Sequence, residues 1–307
     1  MPPQDNASSG HKLGQVIGDW FEEYFALPIL KDICTELNLF VDSRFIERSC
    51  RTTEKLLWTD SDGNTVDYDY VFELGGDENQ IGIPVAFFET FWRRGARHSK
   101  DKARDDTGKL TPMKSTYPTA RVLGILAAGD FTAPACELVR SRNVDLYYVE
   151  KSKILTAWRS CGLEVDYADR SSEATKAAIA NRVCEALENH PQILADIATS
   201  LKELVGIRAI TSYKQRIIGK LGATPQRYTI YVQRISTPIS FASYLEFEEF
   251  LTGDEPLFSS IESEQSYRYE VAFGDGDIFE GDNLSWESLK QRHEELKRLI
   301  LHMESLT

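Results

Sequence analysis

A mixed α/β fold is predicted by three features of this sequence. Apolar residues recur at helical spacing over 16–40, β-branched and aromatic runs fill 65–74 and 81–92, and 121–128 is a continuous apolar stretch. Over 16–40 the periodic residues are Ile17, Trp20, Phe21 and Tyr24, then Ile29, Leu30, Ile33 and Leu37, with Pro28 between the groups. Two helical stretches joined by a kink are expected, Pro28 standing at the start of the second. Residues 1–12 are polar and lack an apolar core, which reads as a loose tail and not a signal peptide. The segment 53–59 is extended, the Ser61-Asp62-Gly63-Asn64 tetrapeptide supplies a hairpin turn, and 65–74 returns as a second strand. A turn at 75–79 leads to a third strand over 81–92, completing a meander. A polar helix over 97–106, the buried strand at 121–128, a short helix at 134–140 and a strand at 144–149 follow. The order is therefore helix, three strands, helix, strand, helix, strand.

Residues 154–204 carry helical apolar rows, whereas 228–234 and 267–273 have strand character and 284–303 forms a terminal helix. This change of character places a boundary near residue 205. One domain with a helical extension is expected over 13–205, and an α+β region over 206–307.

Composition narrows the function classes. The longest apolar run, 122–128, falls far short of the roughly 20 residues of a spanning helix. No membrane segment is expected. The five cysteines (Cys34, Cys50, Cys136, Cys161, Cys184) show no CxxC spacing, and their odd number suits reduced thiols and a cytoplasmic protein. A net charge of −13 argues against a general nucleic-acid coat protein. Local charge differs: between Arg93 and Arg104 six cations and His98 face the single acid Asp101. A bound phosphate belongs there, with Arg93, Arg94, Arg97, His98, Lys100 and Arg104 as its contacts, although solvated pairing of Arg97, Lys100 and Arg104 with Asp101 and Asp105 explains the same pattern.

The chemistry is read from carboxylates on the meander. Alternation over 66–73 puts Asp67, Asp69 and Glu73 on one face of the second strand. In the third strand Glu89 interrupts the apolar row Ile81, Ile83, Val85, Phe87 and Phe91. A lone carboxylate in such a row is costly unless paired or metal-bound. Two neighbouring strands that each offer an acid suit magnesium, which takes one or two carboxylates with waters and phosphate oxygens. The bland alternative for Asp67, Asp69 and Glu73 is the solvated face of an edge hairpin, paired with Lys55 and other cations.

Asp69 followed by Tyr70-Val71-Phe72, and Glu89-Thr90-Phe91 one strand later, resemble the motif of the PD-(D/E)XK nucleases over residues 17–150. The resemblance implies a restriction-endonuclease-like αβββαβ core with a mixed sheet. It also implies a divalent-metal-dependent endonuclease of the type II restriction kind that cleaves double-stranded DNA as a homodimer. Magnesium, or manganese in its place, would be held by Asp69, Glu89 and the Thr90 carbonyl. Glu22 or Glu23 stands for the acid that the family often carries in its first helix. Phe91 occupies the place of the family's lysine, so the catalytic cation is expected from the next helix, as Lys102 or, failing that, Lys100. Residues 206–307 lie outside the resemblance and would serve target recognition or dimerisation. A structure-selective or repair nuclease, and a non-catalytic DNA-binding module that lost its lysine, are the alternatives.

Overall fold

The computed structural model describes residues 8–97, 99–232, 238–253 and 266–306. Ser8 caps helix α1 (Ser9–Trp20), its side chain accepting the His11 amide. The helix thus takes in residues 9–12, which the sequence assigned to the tail. A π turn (Phe21–Ala26) continues into α2 (Leu27–Glu36), the Leu27 amide reaching back to the Glu22 carbonyl. Pro28 lacks an amide proton and crowds the carbonyl one turn earlier, and a widened turn accommodates this without ending the helix. The expected kink is this π turn.

The strands β1 (Phe40–Ser43), β2 (Leu56–Thr59), β3 (Thr65–Tyr68), β4 (Tyr70–Leu74) and β5 (Ile83–Arg93) come next. They correct the meander. The strand expected over 65–74 bends at Asp69, so that β3 pairs with β2 in a two-stranded sheet while β4 pairs antiparallel with β1. Tyr70, Val71, Phe72 and Glu73 are all buried, so β4 has no solvated acidic face. After α3 (Ser99–Thr116), which outlasts its expected end at 106, come β6 (Val122–Gly129), α4 (Ala133–Ser141) and β7 (Asp145–Glu150). The main sheet has the order β1-β4-β5-β6-β7 and is mixed, antiparallel at β1/β4 and parallel at β6/β7.

Helices α5 (Lys151–Ser160), α6 (Glu173–Asn189), α7 (Ile193–Val205) and α8 (Ile207–Leu221) lead to β8 (Pro225–Val232), β9 (Ile239–Phe241), α9 (Tyr244–Thr252), β10 (Tyr267–Phe273), β11 (Ile278–Leu284) and α10 (Trp286–Glu304). Sequence periodicity had left β1, α8, β9, α9 and β11 unassigned. Arg234, at the end of the strand expected over 228–234, lies outside the described residues. Among the described residues no helix is long and apolar enough to cross a membrane.

The chain divides into two compact units, one of residues 1–33, 88–108 and 124–215, the other of 34–87, 109–123 and 216–307. In the first, α1 packs on α6, and α7 packs on both α5 and the π turn. The Trp20 indole donates to the Leu194 carbonyl at 2.9 Å and stands edge-on to Trp158 at 5.2 Å. In the second, the sheet β11-β10-β8-β9 buries Tyr228, Tyr269 and Phe279 with Phe247 of α9 and Leu289 and Leu296 of α10.

The second unit also contains Arg48, whose side chain is almost wholly buried. Its Nη1 donates to Asp42 at 2.8 Å and Glu73 at 2.7 Å, its Nη2 to Glu73 at 3.0 Å and the Gln80 carbonyl, and its Nε to the Asp77 carbonyl at 2.9 Å. The guanidinium lies 4.5 Å from the Phe40 ring centroid. Burial opposes its charge, but its hydrogen bonds to the two carboxylates more than offset this and raise its pKa. The 74–82 turn closes over Glu73, whose carboxylate also accepts the Gly82 amide at 2.7 Å. Side chains at Gly76 and Gly82 would collide with the Glu73 carboxylate and with the turn backbone, which accounts for both glycines. Arg48→Met should destabilise the protein by about 3–5 kcal/mol, because two buried carboxylates lose their partner. Arg48→Lys should rescue little of this, since an ammonium cannot span the fork. Urea unfolding of both variants measures it.

His293 of α10 is buried beside Tyr228, Phe247 and Tyr269, with Nδ1 2.9 Å from the Tyr269 hydroxyl. Burial lowers its pKa from 6.5 to about 4, against the pull of Glu248. The unfolded chain therefore takes up this proton before the folded one does. Stability should fall as pH drops from about 6.5 towards 4, by at most about 1.4 kcal/mol per pH unit from this group. Urea midpoints between pH 7 and pH 5 should show that His293→Gln loses this part of the slope.

Candidate functional site

Strand β5 is buried along nearly its whole length, with Val85, Ala86, Phe87 and Phe88 fully enclosed. Such a strand is written in apolar residues on both faces, and between Ile83 and Trp92 its only ionisable side chain is Glu89. Glu89 is 2% exposed, and Thr90 beside it is also buried. Glu89 and Phe91, two residues apart, project from the same face of the strand.

Phe91 has a cation for a neighbour. The Lys102 ammonium lies 5.7 Å from the Phe91 ring centroid and 2.6 Å from an oxygen of Asp106, one turn further along α3. Asp106 is wholly buried and holds the ammonium in place. Of the two lysines weighed for this role, Lys102 is half-buried and Lys100 is exposed. Sequence reasoning missed Asp106 as the partner of Lys102. Its signal was the four-residue spacing from Lys102, overlooked among the other charges of the segment.

The first helix also distinguishes its two acids. Glu22, inside the π turn, is buried, and Glu23 is exposed. Asp69 is half-buried at the bend that opens β4. The other acids read from that strand have separate roles. Asp67 accepts the Leu56 amide at 2.9 Å and stands 3.9 Å from Lys55, as the solvated-hairpin reading expected. Glu73 belongs to the Arg48 cluster: burial pushes its carboxyl up, while Arg48 and the Gly82 amide pull it back.

The basic segment also separates into roles. Arg93, Arg97, Lys100 and Arg104 are exposed, and Arg104 pairs with Asp101 at 3.0 Å and Asp105 at 4.0 Å. Arg94, expected as a phosphate contact, is instead engaged internally. Its guanidinium packs 3.8 Å from the Tyr167 ring centroid, hydrogen-bonds the Tyr167 carbonyl, and pairs with Asp169 at 2.9 Å and Asp166 at 3.4 Å. His98 lies outside the described residues.

Among the described residues, no group of three or more His, Cys, Asp or Glu side chains is arranged to hold a metal ion. A magnesium ion asks for less. One or two carboxylate oxygens, water and substrate phosphate suffice. The family models, curated proteins and solved structures compared with this chain give no match.

The pair on α3 has a measurable weight. Lys102→Met leaves the buried Asp106 without this partner and should cost about 1–3 kcal/mol. Lys100→Met, on the exposed face, should change stability by less than about 0.5 kcal/mol. Urea unfolding of the two variants compares them directly.

Proposed function

We propose that this chain is a divalent-metal-dependent endonuclease that hydrolyses phosphodiester bonds of double-stranded DNA, of the restriction-enzyme kind. The observation that carries the reading is the Lys102 ammonium over Phe91, on the strand face that also carries Glu89. The motif lysine is replaced by an aromatic ring, and a lysine from the following helix brings its charge to that ring. Strands β1, β4 and β5 of the main sheet, which follow α1–α2 and precede α3 and β6 with β2 and β3 set apart in a separate sheet, support this reading.

In this reading Glu89, the Thr90 carbonyl and, by the sequence motif, Asp69 hold magnesium, with manganese able to replace it. When bound, the metal lowers the pKa of its water and neutralises charge developing on the phosphate. Lys102 supplies a fixed positive charge where negative charge grows in the transition state, and Asp106 keeps that ammonium aligned. Glu22 is the buried helix acid nearest to the family's pattern. The exposed cations Arg93, Arg97, Lys100 and Arg104 attract the phosphate backbone without reading its bases. Two copies acting as a homodimer would give double-strand cleavage from two equivalent sites.

Phe91 favours a second reading, a DNA-binding module without catalysis. Incubating plasmid DNA with the protein and magnesium separates the two: discrete fragments support a restriction enzyme, random nicks a repair or structure-selective nuclease, and binding without cleavage the module. Glu89→Ala and Asp69→Ala should abolish cleavage while metal-free DNA binding persists. Lys102→Ala should lower the single-turnover rate by about 10²–10³-fold with little change in affinity, as for other transition-state charge donors. Lys100→Ala should instead weaken binding and reduce the salt slope by about one. The assays are run well below each variant's unfolding midpoint. Full activity in both acid variants would mean that the carboxylates are wrongly chosen.

A further inference from the structure

A cavity of about 200 Å³ opens beside β2, and all of its lining residues belong to the second compact unit. They come from β1, the loop that follows it, the first strand of the hairpin, β4 and the 74–82 turn. The lining grades from enclosed charge to open rim. Asp42, Glu73 and the Arg51 side chain are enclosed, whereas Thr52, Thr53 and Lys55 are exposed.

The enclosed charges are not all satisfied. Both oxygens of Glu73 are engaged, by Arg48 and by the Gly82 amide. Asp42 gives Oδ2 to Arg48, but its buried Oδ1 accepts no hydrogen bond among the described residues and meets Arg51 Nη2 only at 3.4 Å. Arg51 is pinned by backbone: Nη1 donates to the Glu54 carbonyl at 2.8 Å, and Nη2 to the carbonyls of Ser43 and Ile46. Its Nε is left buried and without an acceptor among the described residues. The cavity lining therefore holds one unused donor and one under-used acceptor, an arrangement that costs free energy until a ligand supplies both complements.

Apolar surface stands beside this pair. The Trp58 ring is fixed edge-on against Phe87 at 5.7 Å and Tyr117 at 5.6 Å. Ile81 is 59% exposed and Leu57 52% exposed, and both line the cavity with Trp58. A bare anion does not suit this lining, because Asp42 repels it. A purely apolar ligand leaves Arg51 Nε unpaired. A flat ring with a donor beside an acceptor answers both, and that is the edge every nucleobase carries. The volume is below the roughly 300–1,000 Å³ of sites for drug-sized molecules, so it suits a single ring system. At the rim, Thr52, Thr53 and Lys55 are of the kinds that contact sugar and phosphate oxygens, and the Lys55 contact with Asp67 is a loose 3.9 Å between exposed groups.

We propose that this cavity binds one nucleotide, its base against Trp58 and Ile81 with its edge toward Arg51 and Asp42, and its phosphate at Lys55. The nucleotide is either free or swung out of a DNA strand, which costs least where the base is mispaired. None of the residues assigned to cleavage is used, so this site and the nuclease reading are tested separately.

Cys50 lines the cavity and is partly exposed, and Cys184 on α6 is an exposed reference thiol. Full-length protein without divalent metal is alkylated slowly with iodoacetamide, and labelling of each cysteine is followed by peptide mass spectrometry. The additions are each deoxynucleoside 5′-monophosphate, deoxyribose 5-phosphate, and short duplexes with a paired or a mismatched central base pair. A mononucleotide or the mismatched duplex should slow labelling of Cys50 severalfold and leave Cys184 unchanged. Protection by mononucleotides assigns the free ligand, and stronger protection by the mismatched than by the paired duplex assigns an extruded base. Half-protection should need about ten-fold more ligand in Trp58→Leu and about five-fold more in Ile81→Ser. Ile81→Ser changes only an exposed side chain and is read even if Trp58→Leu does not fold. Leu245→Ser, at a 63% exposed site on α9, should change nothing. No protection by any addition overturns the proposal, as does protection that Ile81→Ser leaves unaltered or that extends equally to Cys184. Deoxyribose 5-phosphate acting as well as a nucleotide means a phosphate site only, and equal protection by both duplexes without any by mononucleotides means surface coverage only; each overturns it. Plasmid cleavage with magnesium, measured in parallel, separates the two readings: cleavage without protection of Cys50 overturns this one alone, and protection without cleavage overturns only the nuclease.

Discussion

Arg48 sets the constraint on which its surroundings depend. Asp42 and Glu73 lie on paired strands, on one face and in diagonal positions, where two buried carboxylates would repel each other. One guanidinium serves both, and its remaining donors hold the carbonyls of Asp77 and Gln80 in the turn that leads to β5. A single cation thereby joins β1, β4 and the turn. The pairing of β1 with β4 and the starting point of β5 are set together, because no partial arrangement satisfies all five N–H groups. Burying this much charge is costly, and the full set of hydrogen bonds is what makes it tolerable.

Strand β5 shows the opposite use of a buried charge. Its apolar residues are what a strand enclosed on both faces requires, and Glu89 breaks that pattern. The neighbouring helix brings a lysine to the same part of the strand and steadies it with the wholly buried Asp106. A π turn in the first helix accompanies a second inward acid, Glu22, while Glu23 stays in solvent.

Charge in this protein is partitioned by segment and not averaged over the chain. All of the acids lie outside 204–245, and the cations of 93–104 are themselves divided between solvent and structure. Arg94 illustrates the division: it is adjacent in sequence to the exposed Arg93, yet it is clasped by Tyr167, Asp166 and Asp169. A count of cations in a basic run therefore overstates the number available to a phosphate.

Much of the architecture was legible in the residues themselves. Helical periodicity, the continuous apolar run of β6 and the turn chemistry at 61–64 and 75–79 act locally, so the mixed α/β class followed from them. Glu89 was legible for the same reason, as a charge out of place in an apolar row. Short elements such as β1 and β9 were not, because three or four residues carry no periodicity. The break at Asp69 was hidden as well, since the aromatic alternation of β3 runs straight into β4 and only pairing with different partners separates them. Which partner each acid takes was decided by tertiary contacts alone. Glu73, Asp67 and Asp69 read alike along the chain, but Arg48, the partner of Glu73, stands 25 residues away in sequence. Local composition therefore determined what kinds of element form, while distant partners determined what each charge does.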